Sequence, residues 1–232
     1  AFDTARHYGR GNEAVVGRWI RERGIADRVF LIGKGAHHSP ERRRVTPEDI
    51  AADLETSLAQ LGLDTIDLYL LHRDDPDAPV GPIVEALDGH KRAGKIRAYG
   101  GSNWSVERIA AANAHAEAHG LAPFAASSPQ FSLAEQVDEP WAGCVSISGP
   151  AGEAARAWHR ARNMPIFAWS SLAGGFLAGG LTPDDDGGLP EDVAARARRS
   201  YGSAANWERL ARARTLAAER GLSVPQVALA WA

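Results

Sequence analysis

The sequence predicts an α/β fold, a TIM (β/α)8 barrel of parallel strands, on three observations. Short apolar runs alternate with amphipathic segments along the 232 residues. The alternation repeats about every 30–40 residues, which is the size of one strand–helix–strand unit. Ionisable residues follow several of the apolar runs, and in barrels of this kind the active site lies at the carboxyl ends of the strands.

Six strand positions are visible, whereas a closed barrel needs eight. The apolar runs end near six residues: Asp3, Ile32, Leu71, Gly101, Ser128 and Trp169. We therefore expect one partial barrel domain over residues 1–232 that lacks the first and last strands of the barrel. The only methionine is Met164, and a helix has just begun where the chain ends, which both agree with a truncated chain. An open doubly wound sheet is the alternative, but no Gly-x-Gly-x-x-Gly follows the first strand.

Segments with helix start and stop signals lie between the predicted strands. Asn12 can cap a first helix that Gly24 ends. The run Thr-Pro-Glu-Asp at 46–49 is a strong start for a second helix, which Gly62 ends. Further helices are expected over 82–94, 105–120 and 151–162, and from about 223 onward. The polar stretch 182–202 is predicted to be a loop over the active-site mouth.

Composition excludes several classes of partner. With a net charge of −3 and no long block of Lys and Arg, neither nucleic acid nor an anionic membrane is the expected partner. The single cysteine, Cys144, cannot form an internal disulfide and fits a reducing, cytoplasmic setting. The uncharged run 164–181 contains proline, serines and four glycines, so we interpret it as a buried strand and a glycine loop rather than a membrane helix.

Four residues at strand ends form a candidate proton-delivery set: Asp3, Tyr8, Lys34 and His72. Free tyrosine has a pKa of about 10 and is a poor acid at neutral pH unless a nearby cation stabilises its phenolate. Lys34 can supply that charge, and Asp3 can keep the lysine charged and in place. Tyr8 and His72 can both donate to the negative charge that develops on a carbonyl oxygen. Each residue alone has a plain structural interpretation, and only the set favours function.

Several segments form an ordered set of motifs: residues 2–9, 33–35, 67–72, 94–103, 129–133 and 169–175. Together these motifs resemble those of the aldo-keto reductases, and the resemblance covers nearly the whole chain. It implies a barrel that binds a nicotinamide cofactor in extended form and reduces small carbonyl compounds without a metal. NADP(H) is favoured over NAD(H), and the choice between them stays open. Tyr8 would then be the general acid, assisted by the Lys34–Asp3 pair, and His72 would orient the carbonyl group.

The same resemblance implies a set of cofactor contacts. Ser102, Asn103 and Gln130 would hold the carboxamide, and Trp169 would stack on the nicotinamide ring where most relatives carry tyrosine. The pyrophosphate path would be lined by Ser170, Ser171, Leu172 and Gly174. The loop that grips the adenosine phosphate in the family is expected to be absent from this chain.

Alternatives to a reductase remain open at this point. One is a cofactor-sensing regulatory subunit of the same fold with little turnover. Another is a Schiff-base aldolase that uses Lys34, although a neighbouring Asp3 favours a charged lysine, and such an aldolase needs a neutral one. The pair His37-His38 invites a metal interpretation, but adjacent histidines point in different directions and no third ligand has useful spacing, so a loop role is favoured.

Overall fold

The computed structural model describes residues 1–9 and 11–232, and its amino-terminal part contains a five-stranded parallel sheet. The strands are β1 (Phe2–Asp3), β2 (Leu31–Gly35), β3 (Ile66–Leu71), β4 (Ile96–Ser102) and β5 (Ala126–Ser128). Every strand pairs in parallel with the next one along the chain. A doubly wound sheet would reverse its strand order, so the unbroken order confirms the α/β fold with the strand arrangement of part of a (β/α)8 barrel.

Four helices connect these strands: α1 (Asn12–Arg23), α2 (Pro47–Leu61), α3 (Val80–Arg92) and α4 (Val106–His119). The predicted start of α2 is confirmed, because the Thr46 hydroxyl accepts from the Asp49 N–H at 3.2 Å. Helices α1, α2 and α4 end at glycines with left-handed backbone conformations, as predicted for Gly24 and Gly62.

Close packing of α1 on α2 depends on Gly17. A Cβ atom at this position would overlap the main-chain carbonyl of Leu61, the last residue of α2. The side chain of Arg21, one turn further along α1, donates to the same carbonyl oxygen. The two helices therefore meet backbone to backbone at the end of α2.

Contacts divide the chain into two compact units, residues 1–128 and 129–232. The second unit contains α5 (Glu153–Ala161), α6 (Glu191–Tyr201), α7 (Ala204–Arg220) and α8 (Val224–Trp231), with short 3-10 segments at Pro150–Gly152 and Ala173–Ala178. The helix expected from about residue 223 is α8, and it begins with a capping box: the Ser223 hydroxyl accepts from the Gln226 N–H, and the Gln226 side chain accepts from the Ser223 N–H. That the whole chain is a single domain stays a prediction.

Two sequence expectations differ from the structure in the second unit. The run ending at Trp169 is not a strand and forms only an isolated parallel bridge, Gln130 with Trp169. The predicted loop 182–202 was wrong for its second half, which is helix α6. Ala194, Ala197 and Tyr201 are buried at helical spacing there, and this spacing outweighs the polar composition of the segment.

None of the described helices combines the length and apolar content that a membrane span requires.

Candidate active site

Lys34 lies between Asp3 and Tyr8 at the carboxyl end of β2. Its Nζ donates to Asp3 Oδ1 and to the Tyr8 hydroxyl oxygen, the latter at 3.0 Å. The strand register explains the contact with Asp3. Asp3 of β1 pairs with Ile32 of β2, and Lys34 lies two residues after Ile32 on β2, on the same face of the sheet. The lysine side chain is only 3% exposed, so the Asp3 carboxylate takes the place of water as the partner of its amino group.

The turn after β1 places Tyr8 against Lys34. The Arg6 N–H donates to the Lys34 carbonyl at 3.0 Å, and the Tyr8 N–H donates to the Ala5 carbonyl at 3.1 Å. From the first turn of α1, Asn12 Nδ2 donates to the Tyr8 carbonyl at 2.6 Å. These bonds fix the backbone on both sides of Tyr8, whose side chain is 47% exposed and open to a ligand.

His72 follows β3 and is held by its main chain. Its N–H donates to the Gly35 carbonyl at 2.8 Å, which extends the β2–β3 pairing by one residue. Its ring meets the Tyr8 ring edge to face, with centroids 5.7 Å apart. Burial lowers the pKa of His72 from 6.5 to about 2, and the charges of Lys34 and Arg73 act in the same direction. The imidazole is therefore neutral at physiological pH, and it can donate from one ring nitrogen.

Ser102 and Asn103, two of the predicted cofactor residues, lie beside this group. Ser102 ends β4 and its hydroxyl donates to the Ser128 carbonyl at 3.0 Å. Asn103 Nδ2 donates to the His72 carbonyl and to the Ser102 hydroxyl oxygen, both at 3.3 Å. The structure thus brings six predicted site residues together in the first unit: Asp3, Tyr8, Lys34, His72, Ser102 and Asn103.

The other predicted cofactor residues lie in the second unit. Gln130 is fully buried; its Oε1 accepts from the hydroxyls of Ser146 and Ser148, and its Nε2 donates to Ser132. This side chain therefore has a structural role whatever else it binds. Trp169 is only partly buried, but its Nε1–H is enclosed and has no partner among the described residues.

The segment after Trp169 has an unusual backbone. Ser170, Ala173, Gly174 and Gly175 all have positive φ, between 49° and 103°. Within the turn the N–H groups of Ala173 and Gly175 donate to the carbonyls of Ser170 and Leu172. Successive main-chain N–H groups in turns of this kind can form a concave surface that suits a phosphate group. An enclosed indole N–H and a turn of this kind fit the polar groups of a dinucleotide cofactor. The predicted pyrophosphate residues Ser170, Ser171, Leu172 and Gly174 all belong to this segment.

Sequence reasoning missed two neighbours of His72. The rings of His7 and His37 stack in parallel, with centroids 3.6 Å apart, and His37 meets His72 edge to face at 4.8 Å. The sequence predicts only a loop role for His37. Its position three residues after Lys34 was the available signal, since it also follows the carboxyl end of β2. Among the described residues, no three His, Cys, Asp or Glu side chains are grouped so as to hold a metal ion.

Comparison with known proteins identifies the family. A model described as "Aldo/keto reductase family" matches residues 1–232. The chain is 30% identical over 240 residues to "Aldo-keto reductase yakc" of Schizosaccharomyces pombe (strain 972 / ATCC 24843), whose full name includes NADP(+), and covers 65% of that protein. It is 26% identical over 247 residues to a "Probable voltage-gated potassium channel subunit beta" of Oryza sativa subsp. japonica and covers 69% of it.

A solved structure agrees with the sequence matches. The aldo/keto reductase of Klebsiella pneumoniae in complex with NADP and acetate superposes with a TM-score of 0.67 and 28% sequence identity, over 99% of this chain and 64% of that one. The chain therefore spans about two thirds of the length of these relatives. With the family model matched along its whole length, this chain belongs to the aldo/keto reductase family.

Proposed function

We propose that the protein uses NAD(P)H to reduce an aldehyde or ketone to an alcohol by hydride transfer, with Tyr8 as the general acid. The observation that supports this most is the position of Lys34 Nζ, which contacts the Tyr8 hydroxyl oxygen at 3.0 Å and the Asp3 carboxylate at once. A tyrosine hydroxyl held against a charged lysine has no evident structural purpose at a half-exposed position.

In the proposed reaction the proton leaves Tyr8 Oη for the carbonyl oxygen as negative charge develops there. The charge left on Tyr8 Oη is then next to the Lys34 ammonium, which stabilises it without moving. Asp3 compensates the charge of a lysine that has almost no contact with solvent. Positioned proton transfer of this kind typically contributes about 10²–10⁴-fold to the rate.

His72 has a separate task in this proposal. As a neutral imidazole it offers one N–H, which orients the carbonyl oxygen toward Tyr8 and donates to its developing charge. A neutral donor is suited to the position because it adds no second cation beside Lys34. Tyr8 and His72 lie close enough, at 5.7 Å between ring centroids, for both to reach one oxygen atom.

The cofactor that we propose is NADP(H) rather than NAD(H), and it would supply the hydride. NADP appears in the name of the yeast relative and in the description of the Klebsiella complex, which supports this choice. For the carboxamide we propose Ser102, Asn103 and Gln130, and for the nicotinamide ring Trp169. We propose main-chain and side-chain donors of Ser170, Ser171, Leu172 and Gly174 for the pyrophosphate.

The two alternative functions are a Schiff-base aldolase and a cofactor-sensing regulatory subunit. The ion pair with Asp3 favours a charged Lys34, which argues against a Schiff-base aldolase. A cofactor-sensing regulatory subunit has one observation in its favour, the likeness to the rice protein named as a potassium channel subunit along 99% of this chain. That likeness is compatible with a complete proton-delivery set, so turnover is the property that separates the two functions.

The deciding experiment is a scan of aldehydes and ketones with NADPH and with NADH, followed by loss of the reduced cofactor's absorbance. Tyr8→Phe serves as the matched blank, because it keeps the ring and removes the hydroxyl. We expect multiple turnovers with NADPH that the blank lacks. Tight NADPH binding without turnover on any carbonyl would instead favour the regulatory function, and equal rates in both proteins would remove Tyr8 from the reaction.

A further inference from the structure

Two histidines that the proposed reaction does not use border the ring of His72. His37 meets it edge to face, with centroids 4.8 Å apart and an interplanar angle of 86°. His7 lies 6.2 Å from it and stacks on the other ring, that of His37, with an interplanar angle of 1°. With Tyr8 on a further side, the His72 ring is bordered by three other rings.

One hydrogen bond of the ring defines the tautomer of His37. Its Nδ1 lies 2.8 Å from the His38 carbonyl oxygen, which can only accept, so Nδ1 carries the proton. Burial lowers the pKa of His37 from 6.5 to about 4, so the ring is neutral at physiological pH. The ring that packs against His72 is therefore an uncharged one with a defined plane.

The segment that holds His37 is itself anchored to α4. His38 Nε2 donates to the Asp74 carbonyl at 3.1 Å, while its Nδ1 accepts from the Arg44 N–H. The Asp74 carboxylate in turn receives two hydrogen bonds from Arg108, at 2.9 and 3.0 Å. Such a bidentate pair has a defined geometry. The residue that follows His37 is thus held by contacts outside the site.

The surroundings of the His72 ring determine its tautomer and its charge. Its Nδ1 is buried and has no hydrogen-bond partner among the described residues. A buried N–H without an acceptor is unfavourable, so the proton belongs on Nε2. The groups facing the ring also oppose its protonation, since burial and the charges of its neighbours all lower its pKa. The titratable and charged groups that face the ring are His7, Tyr8, Lys34, His37 and Arg73.

We propose that His37 is a positioning residue, whose ring keeps water away from His72 and thereby holds it as a neutral imidazole with its N–H on Nε2. This inference rests on the proposed function, because an N–H held on Nε2 is what His72 would donate to the carbonyl oxygen. The ring of His7 stacks on one face of the His37 ring and supports it there. Without the His37 ring, water reaches Nδ1 of His72, and both the other tautomer and the imidazolium become accessible.

The test combines histidine-selective ¹⁵N NMR with kinetics on the whole chain. His37→Ala removes the ring, His37→Phe keeps a flat ring of similar size, and His119→Ala is a control on α4. We expect His37→Ala to shift the ¹⁵N signals of His72 toward a tautomer mixture and to raise its pKa. We also expect kcat to fall roughly 10-fold to 100-fold with little change in KM, the range seen when a reacting group is misplaced. His37→Phe should restore the His72 signals and most of kcat, and His119→Ala should change neither.

Unchanged His72 signals in a folded His37→Ala protein would overturn the proposal. So would His37→Phe if its His72 signals matched those of His37→Ala, because the ring itself would then not be the cause. If His37→Ala does not fold, His37→Asn replaces it, since it keeps a polar donor near the His38 carbonyl but leaves most of the ring space empty. The NMR measurement tests the role of His37 even if the protein turns over no carbonyl compound. The failure of this proposal and the failure of the proposed reductase function can therefore be distinguished.

Discussion

Asn103 Nδ2 donates to the main-chain carbonyl of His72 at 3.3 Å, so the residue that follows β4 holds the residue that follows β3. Asn103 adopts a left-handed backbone, with φ at 59°, to do so. This conformation is tolerated by asparagine and glycine and disfavoured by other residues. The end of β4 is therefore shaped to position His72 as well as to offer polar groups of its own.

Replacement of Asn103 should separate the side-chain bond from the backbone conformation. Asn103→Gly keeps the backbone conformation accessible and loses the side-chain hydrogen bonds to the His72 carbonyl and the Ser102 hydroxyl. Each such bond contributes about 0.5–1.5 kcal/mol to the free energy of unfolding. Asn103→Ala should lose roughly 1–2 kcal/mol more, because alanine disfavours this conformation. Denaturant unfolding without cofactor measures both. Equal stabilities of the two variants would show that the backbone relaxes at this position.

Removal of the Tyr8 hydroxyl should stop turnover and leave cofactor affinity nearly intact. In the proposed reaction this hydroxyl acts only in the transition state, so Tyr8→Phe lowers kcat without weakening NADPH binding. Turnover and cofactor binding, the latter by fluorescence quenching, are measured separately. A Tyr8→Phe protein with wild-type turnover would exclude Tyr8 as the acid.

Trp169 should matter for cofactor binding more than for proton transfer. Aromatic stacking contributes about 0.5–1.5 kcal/mol beyond area burial, so Trp169→Ala should raise the Kd for NADPH roughly 2-fold to 10-fold. Trp169→Tyr is the matched control, since it keeps an aromatic ring at the same position. An unchanged Kd in the alanine variant would argue against stacking at Trp169.

Much of the fold could be predicted because its signals are local. The cap at Thr46, the glycine after α2 and the ionisable residues at the ends of β1 to β3 are each evident within a few residues of sequence. The ordered motifs then tied Asp3, Tyr8, Lys34 and His72 into one site, which the parallel register brings together.

Other features depend on contacts between distant segments. The stack of His7 on His37 joins the loops after two strands, and neither histidine has a sequence pattern that predicts the other. The same holds for Gln130, whose amide is satisfied by serines that only the folded chain brings near. In α6, by contrast, the sequence does carry the signal, because buried residues recur at helical spacing within a polar segment.

The burial of His72 predicts a loss of stability in acid. Its pKa is about 2 in the folded protein and near its ordinary value of 6.5 in the unfolded chain, so below pH 6.5 the unfolded chain binds more protons. This stability is complete above pH 6.5 and is lost progressively as the pH falls toward 2. When the pH falls from about 6.5 to 4.5, the free energy of unfolding should drop in both proteins. The drop should be smaller in His72→Gln than in wild type by on the order of 2 kcal/mol. Urea unfolding at the two pH values measures this, and equal losses would mean that His72 is not buried as described.

Two glycines inside helices should respond to alanine in opposite directions. At Gly17 the new Cβ atom meets the Leu61 carbonyl, so α1 must move away from α2, and overpacking of this kind typically costs about 1–3 kcal/mol. At Gly89, inside α3, the new Cβ atom has no neighbour within 4 Å, and alanine should stabilise the helix by about 0.5–1 kcal/mol. Both variants add the same methyl group to a helix, so their difference isolates the contact between α1 and α2. Denaturant midpoints that shift in the same direction for both would show that α1 does not approach α2 at Gly17 in solution.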